Sequence, residues 1–155
     1  MYTSDHLPLK TLTAALGSPP GQFGGRWEIA LRNPFEPETP LGTLRLRNRG
    51  LGTSGAAFQQ FVVDGRVYGH LIDPRSGEPA LGPASVTVVA PTAALADALS
   101  TAFYLLGPDA AGAYVATHPE VGVVIVEEGP DPASPRLMVF GLTEYDFARE
   151  EKAVN

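Results

Sequence analysis

The chain contains no cysteine. That excludes disulfides, thiolate metal ligands and cysteine nucleophiles, and it leaves the redox compartment open. Basic residues are scarce: 11 Lys and Arg stand against 17 Asp and Glu, giving a formal net charge of −6 and a pI near 4.9. No run of Lys or Arg occurs, so the basic stripe that a phosphate backbone requires is missing and no nucleic-acid partner is expected. Long hydrophobic runs are missing as well. The stretches Ala84 to Ala90 and Val121 to Val126 are far too short to span a bilayer. The opening Met1-Tyr2-Thr3-Ser4-Asp5-His6 has neither a basic nor an apolar region, so no signal peptide is expected and the compartment stays unknown. No repeat recurs at the usual solenoid periods.

What is present suits one globular domain over residues 1–155. Hydrophobic residues make up 44% and charged residues 18%, too apolar a balance for disorder. The 17 Gly and 15 Pro imply many short elements rather than a helical bundle. Residues 8–16 are expected to form a short helix ended by Gly17-Ser18-Pro19-Pro20-Gly21. Trp27 to Leu31 alternates as a strand does and is broken at Asn33-Pro34. Leu41, Thr43, Leu44 and Leu46 lead a second strand, with Arg45 and Arg47 turned to solvent. Phe58 to Val63 and Arg66 to Ile72 flank Asp64-Gly65, a hairpin signal because both turn residues tolerate positive φ. Ser85 to Val89 predicts a buried strand.

At Pro91-Thr92 the period changes. Leu95, Leu99, Ala102, Phe103 and Leu106 fall on one helical stripe, with Thr92 as N-cap and Gly107-Pro108 as the stop. Asp109 is expected to cap a shorter helix reaching about Thr117. Val121 to Glu127 and Arg136 to Phe140 predict two more strands, and the charged tail 149–155 is expected to fray. The fold class is therefore α+β: a mostly antiparallel or mixed sheet of hairpins, one principal helix over about 92–106 and a second over about 109–117.

Asp97 and Thr101 are four residues apart on the principal helix, so they project from one face about one turn from each other. Oxygens of this kind suit Mg²⁺, which takes one or two protein ligands and completes its octahedron with water and ligand phosphate. The plain alternative is an exposed Asp beside a Thr bonded back to its own helix. Ala93, Ala94, Ala96, Ala98 and Ser100 keep this face small enough for close approach, and no cation three or four residues away accounts for Asp97. His70 precedes the turn Asp73-Pro74-Arg75-Ser76-Gly77, in which Arg75 can clamp an anion through its fork. A histidine there can serve as general base or simply bond within its turn. Gly50-Leu51-Gly52-Thr53-Ser54-Gly55 matches G-x-G-x-x-G literally, but a strand rather than a helix is expected after it. We therefore reject a dinucleotide fold; the segment is either a tight strand connection or a glycine turn that admits a ligand.

In order, these residues resemble the ApbE family of flavin transferases (FAD:protein FMN transferases). The resemblance runs from Trp27-Glu28-Ile29-Ala30 through Gly52-Thr53-Ser54-Gly55 and Asp64-Gly65. It continues through His70-Leu71-Ile72-Asp73-Pro74-Arg75-Ser76-Gly77-Glu78-Pro79 and Ser85 to Ala90, then Thr92 to Ala102, ending at Leu106-Gly107. The resemblance implies transfer of FMN from FAD to a Thr or Ser of an acceptor protein, or hydrolysis of FAD to FMN and AMP. It implies Asp97 and Thr101 as Mg²⁺ ligands, with Mn²⁺ accepting the same donors, and FAD lying against Leu71 and Ile72. Ser54, Gly55 and Arg75 join these as cofactor-binding candidates, and His70 is our candidate base.

Family members are longer and bacterial, usually exported and lipid-anchored. Their first half carries a Lys-Gly segment, whereas Lys10 and Lys152 here are followed by Thr11 and Ala153. The chain thus resembles the C-terminal half. The expected form is an incomplete transferase that pairs with an N-terminal half or a second copy, or else a non-catalytic flavin-binding remnant.

Overall fold

Successive side chains of a strand face opposite sides of its sheet, and in Ser85–Ala90 both sides are buried. Val86, Val88 and Ala90 join one apolar cluster and Val89 joins another. The molecule is layered around this strand. The computed structural model describes residues 12–22, 24–55, 60–63, 66–69, 71–132 and 134–150. The strands are β1 (Leu12–Ala15), β2 (Trp27–Arg32), β3 (Pro40–Leu46), β4 (Arg49–Gly55), β5 (Gln60–Val63), β6 (Arg66–Gly69), β7 (Ser85–Ala90), β8 (Gly122–Glu127), β9 (Arg136–Phe140) and β10 (Phe147–Arg149). The helices α1 (Ala93–Leu106) and α2 (Pro108–Thr117) lie in sequence between β7 and β8.

The central sheet has the order β1-β4-β7-β8-β9, a second runs β10-β3-β2, and β5-β6 forms a third. Every strand pair is antiparallel. Helices α1 and α2 cover one face of the central sheet through Ala96, Phe103, Tyr104, Ala111 and Val115. The three-stranded sheet covers the other through Leu31, Leu44, Leu46 and Phe147, against Val89, Val124 and Val126. This is the expected α+β class, without a parallel pair among the described strands.

Several local expectations change. Leu12–Ala15 is a strand rather than part of a helix, registered antiparallel on Arg49 to Gly52. The open edge of β4 offers it backbone partners, and these outweigh the helical preference of Leu and Ala. Residues 8–11 of that expected helix lie outside the described residues. Phe147–Arg149 forms β10 on β3, and Glu150 N–H donates to the Leu41 carbonyl at 3.1 Å; residues 151–155 of the tail expected to fray lie outside the described residues.

Helix α2 starts one residue before Asp109. Pro108 occupies its first turn and Gly107, at φ 83°, ends α1 and caps α2. Asp109 instead sits where a carboxylate meets the positive end of the helix. On α1 the buried positions are Ala96, Ser100, Phe103 and Tyr104, while Leu106 at the end of the expected stripe is 55% exposed. Val63 pairs with Arg66, the register of a two-residue hairpin. Its turn, Asp64-Gly65, lies outside the described residues.

Candidate functional site

The Thr92 hydroxyl accepts the Leu95 N–H at 3.2 Å, and this cap starts α1 where the Ala-rich run begins. The helix then lies on β4, and the strand's small residues allow the closeness. A Cβ added at Gly52 would come within 2.6 Å of Ala96 C and Asp97 N, and one at Gly50 would strike the Ala93 backbone. Gly50, Gly52 and Ser54 therefore face the helix. Leu51 and Thr53 face the other way, Leu51 into the inter-sheet core and Thr53 bonded to Thr87 at 3.0 Å. The glycine-rich segment is thus a strand, and its glycines admit a helix.

At Ser54 strand and helix join through side chains. Ser54 Oγ lies 2.9 Å from Ser100 Oγ and 3.1 Å from Thr101 Oγ1, and Ser100 Oγ donates to the Asp97 carbonyl at 2.9 Å. Ser54 and Ser100 are buried, Thr101 is half-buried and Asp97 is exposed. Among the described residues no hydrogen bond or ion pair engages the Asp97 carboxylate. Gly55 ends the strand opposite Ser85. Among the described residues no three His, Cys, Asp or Glu side chains cluster as metal ligands. The available donors are one carboxylate and one hydroxyl, a hard-oxygen pair that fits a cation completing its shell with water and ligand phosphate.

The turn after His70 is tightly built. Ala80 N–H donates to the Leu71 carbonyl at 2.8 Å, and Ile72 bridges to Pro79. Gly77, at φ 74°, donates to the Asp73 carbonyl at 2.8 Å. The Asp73 carboxylate accepts the Arg75 main-chain N–H and Nε–H, both at 2.9 Å, and Nη2–H at 2.6 Å. These hydrogen bonds from Arg75 hold the Asp73 carboxyl down to about 2. Arg75 Nη2 also donates to the Leu105 carbonyl at 3.2 Å. Arg75 therefore latches the turn to the last turn of α1, and its fork is engaged by Asp73.

Leu105 lies four residues beyond Thr101, about 6 Å along the helix axis. Leu71 packs half-buried on the helix-side core, and Ile72 is 49% exposed. The structure thus brings Ser54, Asp97 and Thr101 together and places Leu71 on the same face of the central sheet. His70 lies outside the described residues. Two participants were not singled out from the sequence: Ser100, three residues after Asp97, and Asp73, whose Asp-x-Arg spacing is the signal of the latch.

Known proteins resemble this chain in sequence and fold. The family model described as the ApbE family matches residues 12–125. The FAD:protein FMN transferase of Klebsiella pneumoniae (strain 342) is 34% identical over 108 residues, covering 68% of this chain and 31% of the relative. That of Escherichia coli (strain K12) is 34% identical over 105 residues, covering 66% and 30%. Of solved structures, the ApbE protein of Thermotoga maritima aligns with a TM-score of 0.65 and 32% identity, over 79% of this chain and 38% of that one. The apo flavinyl transferase ApbE of Pseudomonas stutzeri aligns with a TM-score of 0.62 and 28% identity, over 85% and 42%. The chain therefore matches about a third of the length of the curated relatives.

Proposed function

The chain belongs to the ApbE family, and from that premise we propose that it carries the cation-binding part of an FAD:protein FMN transferase site. The observation that carries the reading is the exposed Asp97 carboxylate, unpaired among the described residues, one helical turn from Thr101 on a helix held against a glycine strand. When bound there, Mg²⁺ neutralises the diphosphate of FAD as charge builds on the departing phosphate. Mn²⁺ suits the same oxygens.

Asp97 and Thr101 would hold that ion, and Leu71 and Ile72 would line the flavin side. Ser54 and Gly55 form the strand end beneath the helix, and Arg75 keeps the turn after His70 docked on α1. His70 accepts the proton of the acceptor Thr or Ser hydroxyl. The acceptor oxygen bonds to the FMN phosphorus, the bond to the AMP oxygen breaks, and AMP leaves as the anion. With water as acceptor, the same site yields free FMN and AMP.

Leu81 is 98% exposed and Leu106 55% exposed. With Phe35 they line a 650 Å³ cleft at the far end of α1, apolar surface that an N-terminal half or a second copy would cover. Among the described residues no helix is long and apolar enough to cross a membrane.

The reading is tested by incubating the chain with FAD and Mg²⁺, with and without a Thr-bearing acceptor protein, and separating the products by chromatography. AMP release that needs Mg²⁺ and disappears in Asp97→Ala is the expected result. Flavin bound covalently to the acceptor marks transfer, and free FMN marks hydrolysis. FAD binding without AMP release in the presence of Mg²⁺ identifies a flavin-binding module instead. If His70→Ala turns over at the wild-type rate with metal saturating, the base lies elsewhere.

A further inference from the structure

Three hydrogen bonds link three hydroxyl groups and one main-chain carbonyl beneath Asp97 and Thr101. Each hydroxyl has a single proton to donate and two lone pairs with which to accept. The Asp97 carbonyl can only accept, so the Ser100 proton is committed to it across 2.9 Å. The 2.9 Å contact between Ser54 and Ser100 must then use the Ser54 proton. With that proton spent, the 3.1 Å contact between Ser54 and Thr101 must use the Thr101 proton. Three protons serve three bonds, and only one direction satisfies all of them: Thr101 to Ser54 to Ser100 to the Asp97 carbonyl.

We infer that this directed relay orients Thr101 as a cation ligand. Its proton is drawn into the protein and its lone pairs are left facing outward. A mid-helix threonine ordinarily donates to the carbonyl four residues back, which here is Asp97 and is already taken by Ser100. Ser54 and Ser100 are 3% and 0% exposed, so they act through Thr101 as positioning residues. The relay ends on the residue whose carboxylate is the other donor, so one network sets both donors relative to β4.

The arrangement also has an exclusion built into it. A Thr101 hydroxyl with its proton committed cannot donate to a phosphate oxygen, so it meets the diphosphate only through a cation. This inference rests on the assignment of Asp97 and Thr101 as metal ligands, and its test separates the two.

Neutron diffraction from the deuterated chain is expected to place the Thr101 deuterium between Thr101 Oγ1 and Ser54 Oγ. A deuterium directed to solvent, or one supplied to Thr101 by Ser54, overturns the relay whatever the metal does. Mn²⁺ binding followed by electron paramagnetic resonance then reads the consequence. Ser54→Ala should weaken binding by about 10-fold, the scale typical of residues that orient a ligand from behind. Ser100→Ala should weaken it too, because Ser54 is then free to donate to Thr101 and turn its proton outward.

Thr101→Val should weaken binding at least as much as Ser54→Ala. Adding Ser54→Ala to it should cost nothing more, since no hydroxyl is left to orient. Independent, additive losses would mean that Ser54 merely braces the helix, and the relay fails. If the wild-type chain takes up no Mn²⁺, or Thr101→Val binds as tightly as wild type, the ligand assignment fails instead.

Discussion

Both faces of the central sheet bury apolar clusters, the helix side through Val86, Val88, Phe103 and Ile125, but where β4 meets α1 the packing follows a different principle. Toward the three-stranded sheet the contacts are large and apolar, with Leu44, Leu46 and Val124 at 0–1% exposure. Toward α1, β4 offers Gly50, Gly52 and Ser54, and the helix replies with Ala96 and Ser100. The first face gains its stability from buried area, roughly 1.5–3 kcal/mol for each fully buried side chain of this size. The second brings backbones so close that no Cβ fits at Gly52, and it holds its register through hydroxyls. An apolar slab tolerates some repacking; a hydroxyl network on a glycine strand does not, because its hydrogen bonds depend on short and directed distances. The candidate cation site stands on the second face and is supported from beneath by the first.

Substitutions on each face should separate stability from ion binding. The largest effect is expected for Leu44→Ala, which leaves a cavity in the inter-sheet core and should cost about 2–5 kcal/mol. Measured by thermal melting, each kcal/mol is worth about 2–4 °C for a domain of this size. Below its transition, Leu44→Ala should keep wild-type Mn²⁺ affinity. Gly52→Ala should cost less, about 1–3 kcal/mol for overpacking, yet it should lose Mn²⁺ affinity while still folded, because the new Cβ pushes on the backbone at Ala96 and Asp97. Equal ion affinity in both variants would show that the glycine face has no special bearing on the site.

The smallest effect is local and depends on pH. The Asp73 carboxyl titrates at about 2 instead of 3.8, through its hydrogen bonds from Arg75. A depressed carboxylate contributes its stabilisation fully above its unfolded value and loses it as pH falls through the folded one. The turn 71–80 should therefore stay latched down to about pH 4 and loosen between there and pH 2. Amide exchange at Gly77 and Ala80, compared with α1 amides, should accelerate across that window, and Asp73→Asn should show the fast rates already at pH 7. Unchanged exchange in Asp73→Asn would show that the backbone bonds of the turn hold it alone.

Much of this architecture is local chemistry, which the order of residues settles unaided. Thr92 as a capping hydroxyl, Gly107 as a stop and the four-residue step from Asp97 to Thr101 depend only on neighbours within a turn or two. The apolar runs of β7 and β8 are β-branched enough to be strands wherever they pack.

Tertiary structure decided the rest, because the decisive partners are far away in sequence. Leu12–Ala15 became a strand by finding the edge of β4, and residues 147–149 did so by finding β3. The glycines of β4 face a helix more than 40 residues onward, an encounter no local pattern announces. Arg75 met the Leu105 carbonyl, and Ser54, read from sequence as a flavin contact, is buried with its hydroxyl between Ser100 and Thr101. A hydroxyl's direction is set by which acceptors surround it, and only the folded chain supplies that list.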